Sequence, residues 1–394
     1  MTRAVVVIDG EHYAPVVRDA IAALPYEVVG AWLAGGTEKL RGDADYGVPL
    51  LRELADGFER ADVVVDLSDE PVLSPPDRFR LASRALAAGL RYEGADFHFE
   101  PPEYAPFPLP SLAVIGTGKR VGKTAVTGHV ARLLARDRDV VVVAMGRGGP
   151  SEPVVADVQP TLASLLALSR SGEHAASDYL ETALLSGVVT IGCRRAGGGL
   201  AGAVTTSNVL AGAAVAAERD PDVVVFDGSG AAIPPVAVDA RILVSGMGHD
   251  PTAYLNAYRV LVSDVVVLVG GGDAAAVRAL KDVRVVEADL RLRPAAPLGG
   301  RRVAVFTTGA APTEHLDADV VLVSRTLADR ARLREDLART DAEVYLVEIK
   351  AAAIDVVAEA AVERGAEVVF ADNEVIAPDL DEAILALVPA GAPA

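Results

Sequence analysis

Apolar runs of five to seven residues alternate with segments of helical period along most of the chain, the pattern of an α/β protein. In the first hundred residues this predicts strand Ala4–Ile8, helix Pro15–Ala23, strand Glu27–Leu33, helix Val48–Phe58, strand Val63–Asp66 and helix Asp77–Ala88. Ala and Val dominate the runs, which fits parallel strands covered by helices of small residues. Phe97–Pro110 then carries five prolines and reads as an extended crossover between domains.

Downstream, strands are expected at Leu112–Ile115, Val140–Met145, Val223–Asp227, Ile242–Ser245 and Val265–Val269. After a turn-rich patch, Arg291–Gly300, come Val303–Thr307, Val320–Val323, Val344–Ile349 and Glu367–Ala371, then a closing helix. The pattern predicts a Rossmann-like α/β domain over residues 1–108. A P-loop NTPase-type domain with a mostly parallel sheet follows over 109–394, with a sub-boundary near 295.

One junction in this pattern carries chemistry. In Ser111–Thr124, SLAVIGTGKRVGKT, an apolar strand enters a glycine turn that ends in Gly122-Lys123-Thr124, and helix Ala125–Ala135 follows. Glycines let backbone N–H groups converge on phosphate oxygens, and a helix N-terminus adds partial positive charge. Gly116, Thr117, Gly118, Arg120, Val121, Gly122, Lys123, Thr124 and Ala125 are therefore candidates to cradle a nucleotide. Lys123 would reach the transferred phosphate, and the Thr124 hydroxyl would reach Mg²⁺. The common spacing needs glycine at 117, where this chain has Thr; counted from Gly116, five residues intervene before Gly122.

Ligands of parallel sheets gather at the carboxyl ends of the strands. Val223–Phe226 ends in Asp227, a second candidate for holding Mg²⁺, directly or through water. Arg194 and Arg195 precede Gly197-Gly198-Gly199, a pattern suited to bidentate anion binding with close backbone approach at Gly198 and Gly199. Lys119 and Arg120 lie inside the loop, Arg147 follows strand Val140–Met145, and Lys350 follows Val344–Ile349. So many cations exceed the needs of one nucleotide and predict a second phosphorylated ligand. Asp372-Asn373 and, near the N-terminus, Asp9-Gly-Glu11-His12, Gly35-Gly36-Thr37-Glu38-Lys39, Asp66 and Asp69-Glu70 also close strands.

Composition narrows the partners. Net charge is −18, which argues against nucleic acid and anionic membrane, so local cation clusters mark specific anion sites. The lone Cys193 excludes an intramolecular disulfide and a cysteine metal site. No HExxH, GxSxG or Cys–His arrangement occurs. The N-terminal apolar run of five residues is too short for a signal peptide, and a soluble cytoplasmic protein is expected.

GTGKRVGKTAV (116–126) resembles the phosphate loop of dethiobiotin synthetases, which share its spacing. VIDGEHYAPVV (7–17), GGTEKL (35–40), MGRGGPSEPVV (145–155), SDYLETALLSGVVTIGCRRAGGGLAG (177–202), DGSGAAIPPV (227–236) and EIKAAAIDVV (348–357) look like the cyclic 2,3-diphosphoglycerate synthetase family. That resemblance spans most of the chain. It implies an ATP- and Mg²⁺-dependent ligase that phosphorylates 2,3-diphosphoglycerate and closes it to a cyclic anhydride, releasing ADP and phosphate. Lys123, Lys119, Arg194 and Arg195 would then be catalytic. Arg147, Arg194, Arg195, Gly198, Gly199 and Lys350 would hold the substrate, and Thr124 and Asp227 the metal. Enzymes with this loop type are often homodimers, and a homodimer is expected. Two alternatives stand beside it: a nucleotide-driven switch or metallochaperone, and a dethiobiotin-synthetase-like ligase or kinase acting on another small acid.

Overall fold

The computed structural model describes residues 1–36, 45–309 and 311–388. Among these, two α/β sheets form the frame. The N-terminal sheet orders its strands Leu50–Leu51, Glu27–Leu33, Arg3–Ile8, Val63–Asp66, Arg91–Glu93 and His98–Phe99. Every pair is parallel except the last. Strand Arg3–Ile8 is buried on both faces because a helix covers each. Ala4, Val6 and Ile8 pack on Val17 and Ile21 of helix Ala14–Ala23, while Val5 and Val7 face Leu81, Ala82 and Ala85 of helix Pro75–Ala87.

The expected helix Val48–Phe58 does not form. Leu50–Leu51 pairs as an edge strand, and a 3₁₀ helix runs over Leu54–Arg60 behind a reciprocal Glu53–Asp56 cap. Gly57 sits in it so close to the Val5 side chain that a Cβ there would force one of them to shift. The proline-rich stretch is extended as expected, but it is packed down: Ala105 bridges to Val236, and Phe107 sets its ring edge-on to Phe226 at 5.1 Å.

The second sheet has thirteen strands. Across it run Thr206–Ser207, Val189–Ala196, Val140–Gly146, Val223–Asp227, Ser111–Gly116, Ala240–Gly246, Val265–Val269, Arg284–Pro294, Glu367–Ile376, Val344–Glu348, Arg302–Phe306 and Asp319–Ser324; Val154–Ala156 adds to Val189–Ala196. Most pairs are parallel. The sheet passes residue 295 without a break, through the antiparallel pairing of Arg284–Pro294 with Glu367–Ile376.

That pairing corrects two expectations. Arg291–Pro294 is strand rather than turn, and Asp372-Asn373 lie within a strand rather than at its end. Arg291 and Arg293 pair across the strands with Glu374 and Asp372, at 2.6 and 2.9 Å, while Leu292 is buried between them. Such charge ladders read as loop in one dimension. The segment Gly192–Ala196 likewise continues strand Val189–Ala196, so Arg194 and Arg195 leave the sheet on strand backbone. Among the described residues no helix is long and apolar enough to cross a membrane.

Candidate functional site

Strand Ser111–Gly116 delivers the chain into the phosphate loop, and helix Lys123–Leu134 leaves it. Thr117, the residue that breaks the common spacing, is buried. Its N–H donates to the Val244 carbonyl at 3.0 Å and its hydroxyl to Ser245 Oγ at 3.2 Å. It anchors the loop on the strand side, and the lining of the cleft begins at Gly118. Gly122 turns the chain at φ 87°, a conformation that favours glycine. Gly246 allows a close approach, since a Cβ there would stand 2.6 Å from Val121 Cα.

Lys123 is buried and its ammonium pairs with Asp227, which also accepts from Thr127 Oγ1 at 2.7 Å. Burial pushes the Asp227 carboxyl up, against the pull of Lys123 and Thr127. Only Oδ1 of Asp227 is engaged among the described residues. Thr124 lines the cleft, whereas Asp227 is buried and does not. No group of three or more His, Cys, Asp or Glu among the described residues could cage a metal alone. A carboxylate with one oxygen engaged and a threonine hydroxyl at the start of the phosphate-loop helix instead suit a hard cation completed by phosphate oxygens and water.

The loop opens into a cleft of about 810 Å³. Gly118, Lys119, Arg120, Val121, Gly122, Lys123, Thr124 and Ala125 form one wall. Arg147, Gly148 and Gly149 continue it, with Ser229 and Gly230 from the DGSG turn. Arg147 crosses so close to Gly230 that any side chain there would meet its guanidinium, and the Lys119 stem stands on the same side. Arg195 donates to the Ser229 carbonyl at 2.7 Å and to Gly197 at 2.6 Å, holding that turn from behind. Burial and the neighbouring Arg147 charge lower its pKa.

Arg194, Gly198 and Gly199 are exposed and do not line the cleft, and Arg195 reaches it only through Ser229. Arg194 sits exposed near the end of the strand, its backbone N–H donating to Asn208 Oδ1 at 2.6 Å, while the Cys193 side chain is buried against Gly212 of helix Val209–Glu218. The Cys193 thiol is pushed up to about 12 by burial and is no nucleophile.

The opposite wall comes from the chain beyond residue 300. Thr307, Thr308, Gly309, Lys350, Ala351 and Asn373 line it, facing Ser177, Asp178 and Glu181 of the helix start at Asp178–Ser186. Glu348 is saturated: it accepts from Thr307 Oγ1 at 2.7 Å, the Thr308 N–H at 2.9 Å and Asn373 Nδ2 at 2.6 Å. Burial would raise its carboxyl, but Lys350 and these donors outweigh it and hold it low. Lys350 Nζ stands 3.7 Å from both Glu181 and Glu348. Burial would lower this ammonium, yet the carboxylates around it hold it above the ordinary lysine value.

Sequence reasoning missed Asp178, Glu181, Thr307 and Thr308. The signal for the first two lay in the quoted SDYLETALLSG segment; nothing in the one-dimensional pattern marked the threonines. It also missed Arg259, which is buried and donates to the Leu200 carbonyl and twice to that of Ala231, pinning the glycine-rich loop to the DGSG turn. In the N-terminal sheet, Asp9 and Asp66 spend their oxygens on local donors: the N–H groups of Glu11, His12 and Asp69, and the hydroxyls of Ser68 and Tyr92. Thr37, Glu38 and Lys39 lie outside the described residues.

Three family models match the chain: the N-terminal domain of cyclic 2,3-diphosphoglycerate synthetase over residues 3–100, its P-loop domain over 111–293 and its C-terminal domain over 294–374. The chain belongs to the cyclic 2,3-diphosphoglycerate synthetase family. A synthetase of that name from Rubrobacter xylanophilus is 48% identical, with 98% of this chain and 97% of the relative covered. One from Thermococcus kodakarensis is 41% identical over 97% and 98%, and one from Methanothermus fervidus 37% identical over 97% and 95%. Among solved structures, LpxK of Aquifex aeolicus, crystallised with ATP, aligns over 73% of this chain and 91% of its own. The two chains share 16% identity at a TM-score of 0.43. Family membership makes the protein an enzyme of the synthetase type, and the cleft over its phosphate loop is the candidate active site.

Proposed function

We propose that the protein uses ATP and Mg²⁺ to close 2,3-diphosphoglycerate into cyclic 2,3-diphosphoglycerate, with release of ADP and phosphate. The observation that carries this reading is one cleft of about 810 Å³ that the phosphate loop, Lys119, Arg147 and Lys350 line together. A triphosphate and a bisphosphate repel each other, and bringing them within bonding distance needs cations on both walls.

In this reading the N–H groups from Gly118 to Thr124 and the Lys123 ammonium hold the β- and γ-phosphates. A phosphate oxygen of the substrate attacks the γ-phosphorus and ADP leaves. The neighbouring phosphate then attacks the inner phosphorus of the new diphosphate, closing the ring, and inorganic phosphate leaves. Phosphoryl transfer is mainly positioning and electrostatics, so the cleft needs no covalent nucleophile. Lys119 and Arg147 neutralise charge at the transferred group, while Arg195 fixes the Ser229–Gly230 turn beneath it. Thr124 and Asp227, together with phosphate oxygens, would hold Mg²⁺, which would supply charge neutralisation there. A homodimer in the cytoplasm belongs to the same proposal, and sedimentation at micromolar concentration tests the dimer.

The deciding experiment is ³¹P NMR of a reaction with ATP, Mg²⁺ and a panel of phosphoglycerates. A cyclic anhydride resonance that depends on 2,3-diphosphoglycerate supports ring closure. Nucleotide hydrolysis indifferent to every phosphoglycerate overturns it in favour of a nucleotide switch.

A further inference from the structure

Two carboxylates flank Lys350 at equal distance but in unequal circumstances. Glu348 has its oxygens occupied by Thr307, Thr308 and Asn373. Glu181 is almost as deeply buried, yet among the described residues its carboxylate has Lys350 alone as an ion-pair partner, at 3.7 Å and without a direct hydrogen bond. The Lys350 side chain is 33% exposed and lines the cleft, so an arriving anion can reach its ammonium.

The charged groups around Glu181 are few. Asp178 lies on its own helix, Glu348 and Lys350 at the end of strand Val344–Glu348, and Asp372 on Glu367–Ile376. Arg132, from the phosphate-loop helix, pairs with Asp372 and donates to the Leu185 carbonyl of the Glu181 helix. Three of the four acidic or basic neighbours that act on Glu181 are thus negative. A buried carboxylate in such surroundings depends on one cation for its charge.

We propose that Glu181 is a proton-linked positioning residue for the anionic substrate: it is protonated when a phosphate or carboxylate of the substrate pairs with Lys350, and it ionises only by claiming Lys350 for itself. This rests on the functional reading above and deepens it, by making the Lys350 wall the place where an anionic group of the acid is held. The proton comes from solvent and returns to it, and no bond of the substrate changes. Burial pushes the Glu181 carboxyl up to about 8, against the pull of Lys350, so at neutral pH it is neutral and Lys350 is available. Above that value Glu181 and the substrate compete for one ammonium.

The test is direct binding of 2,3-diphosphoglycerate by calorimetry between pH 7 and 9.5, without nucleotide, to the wild-type protein, E181Q and K350M. The substrate's phosphates are fully ionised above pH 8, so they add a common background to all three. For the wild-type protein Kd should rise toward tenfold per pH unit above about 8, with close to one proton taken up per molecule bound at pH 9. E181Q should bind with a Kd that stays flat over the same range and with no proton uptake. K350M should bind weakly at every pH, and near-UV circular dichroism checks that it is folded. A wild-type profile matching that of E181Q, with binding intact, overturns this proposal alone. Failure of the wild-type protein to bind 2,3-diphosphoglycerate at pH 7 overturns the functional reading and this proposal with it.

Discussion

Single residues divide the site's labour, and substitutions separate their parts. In the proposed reaction Lys123 holds the nucleotide phosphates, so Lys123→Met should lower ring closure at least about 100-fold, read as the rate of phosphate release. Arg195 braces the Ser229–Gly230 turn, whereas Arg194 does not line the cleft. Arg195→Ala should therefore raise the KM for 2,3-diphosphoglycerate about tenfold or more, while Arg194→Ala stays within about twofold. Equal effects of the two would return both arginines to the substrate, as their adjacency in the sequence suggested. The sequence marked these cations because Lys and Arg beside glycines are visible in one dimension. It could not tell Arg194 from Arg195, because which face of a strand a residue takes depends on where pairing begins.

At the scale of elements, the phosphate loop is held by what packs beneath it. Gly246 ends a neighbouring strand and touches Val121, so Gly246→Ala should displace the loop and weaken ADP binding about tenfold or more by calorimetry, with only a small loss of Tm. The helix that leaves the loop is clamped from the far side. Arg132 pairs with buried Asp372 at 2.9 Å, Arg293 does the same, and His129 contacts Asp381. Asp372→Ala leaves two guanidiniums facing each other and should cost about 3 kcal/mol in urea unfolding. Most strands could be read directly from their apolar runs. The misread elements share one feature, that they pack on distant partners: the ladder of Arg291 and Arg293 against Glu374 and Asp372, and the 3₁₀ helix whose Gly57 lies against Val5.

Over the whole molecule, one sheet carries both walls of the cleft, so chemistry and stability share the same buried charges. Glu181 binds a proton more tightly when folded than at its ordinary value of 4.5. A carboxyl so raised leaves stability unpenalised at pH below 4.5 and withdraws it as pH climbs toward 8. The Tm of E181Q should accordingly exceed that of the wild-type protein by a margin that grows from pH 5 to pH 8.5; a constant difference would contradict it. The sequence by itself determined the α/β class, the phosphate loop and its acid at Asp227, because these are local patterns: a strand, a glycine turn, a helix, a carboxylate closing a run of valines. Only the tertiary structure decided that Lys350, Glu348 and Thr307 stand across from that loop. The pairing of Arg284–Pro294 with Glu367–Ile376, which carries the sheet past residue 295, is a contact between segments some eighty residues apart. No local preference encodes such a contact; it follows from burying both faces of the sheet at once.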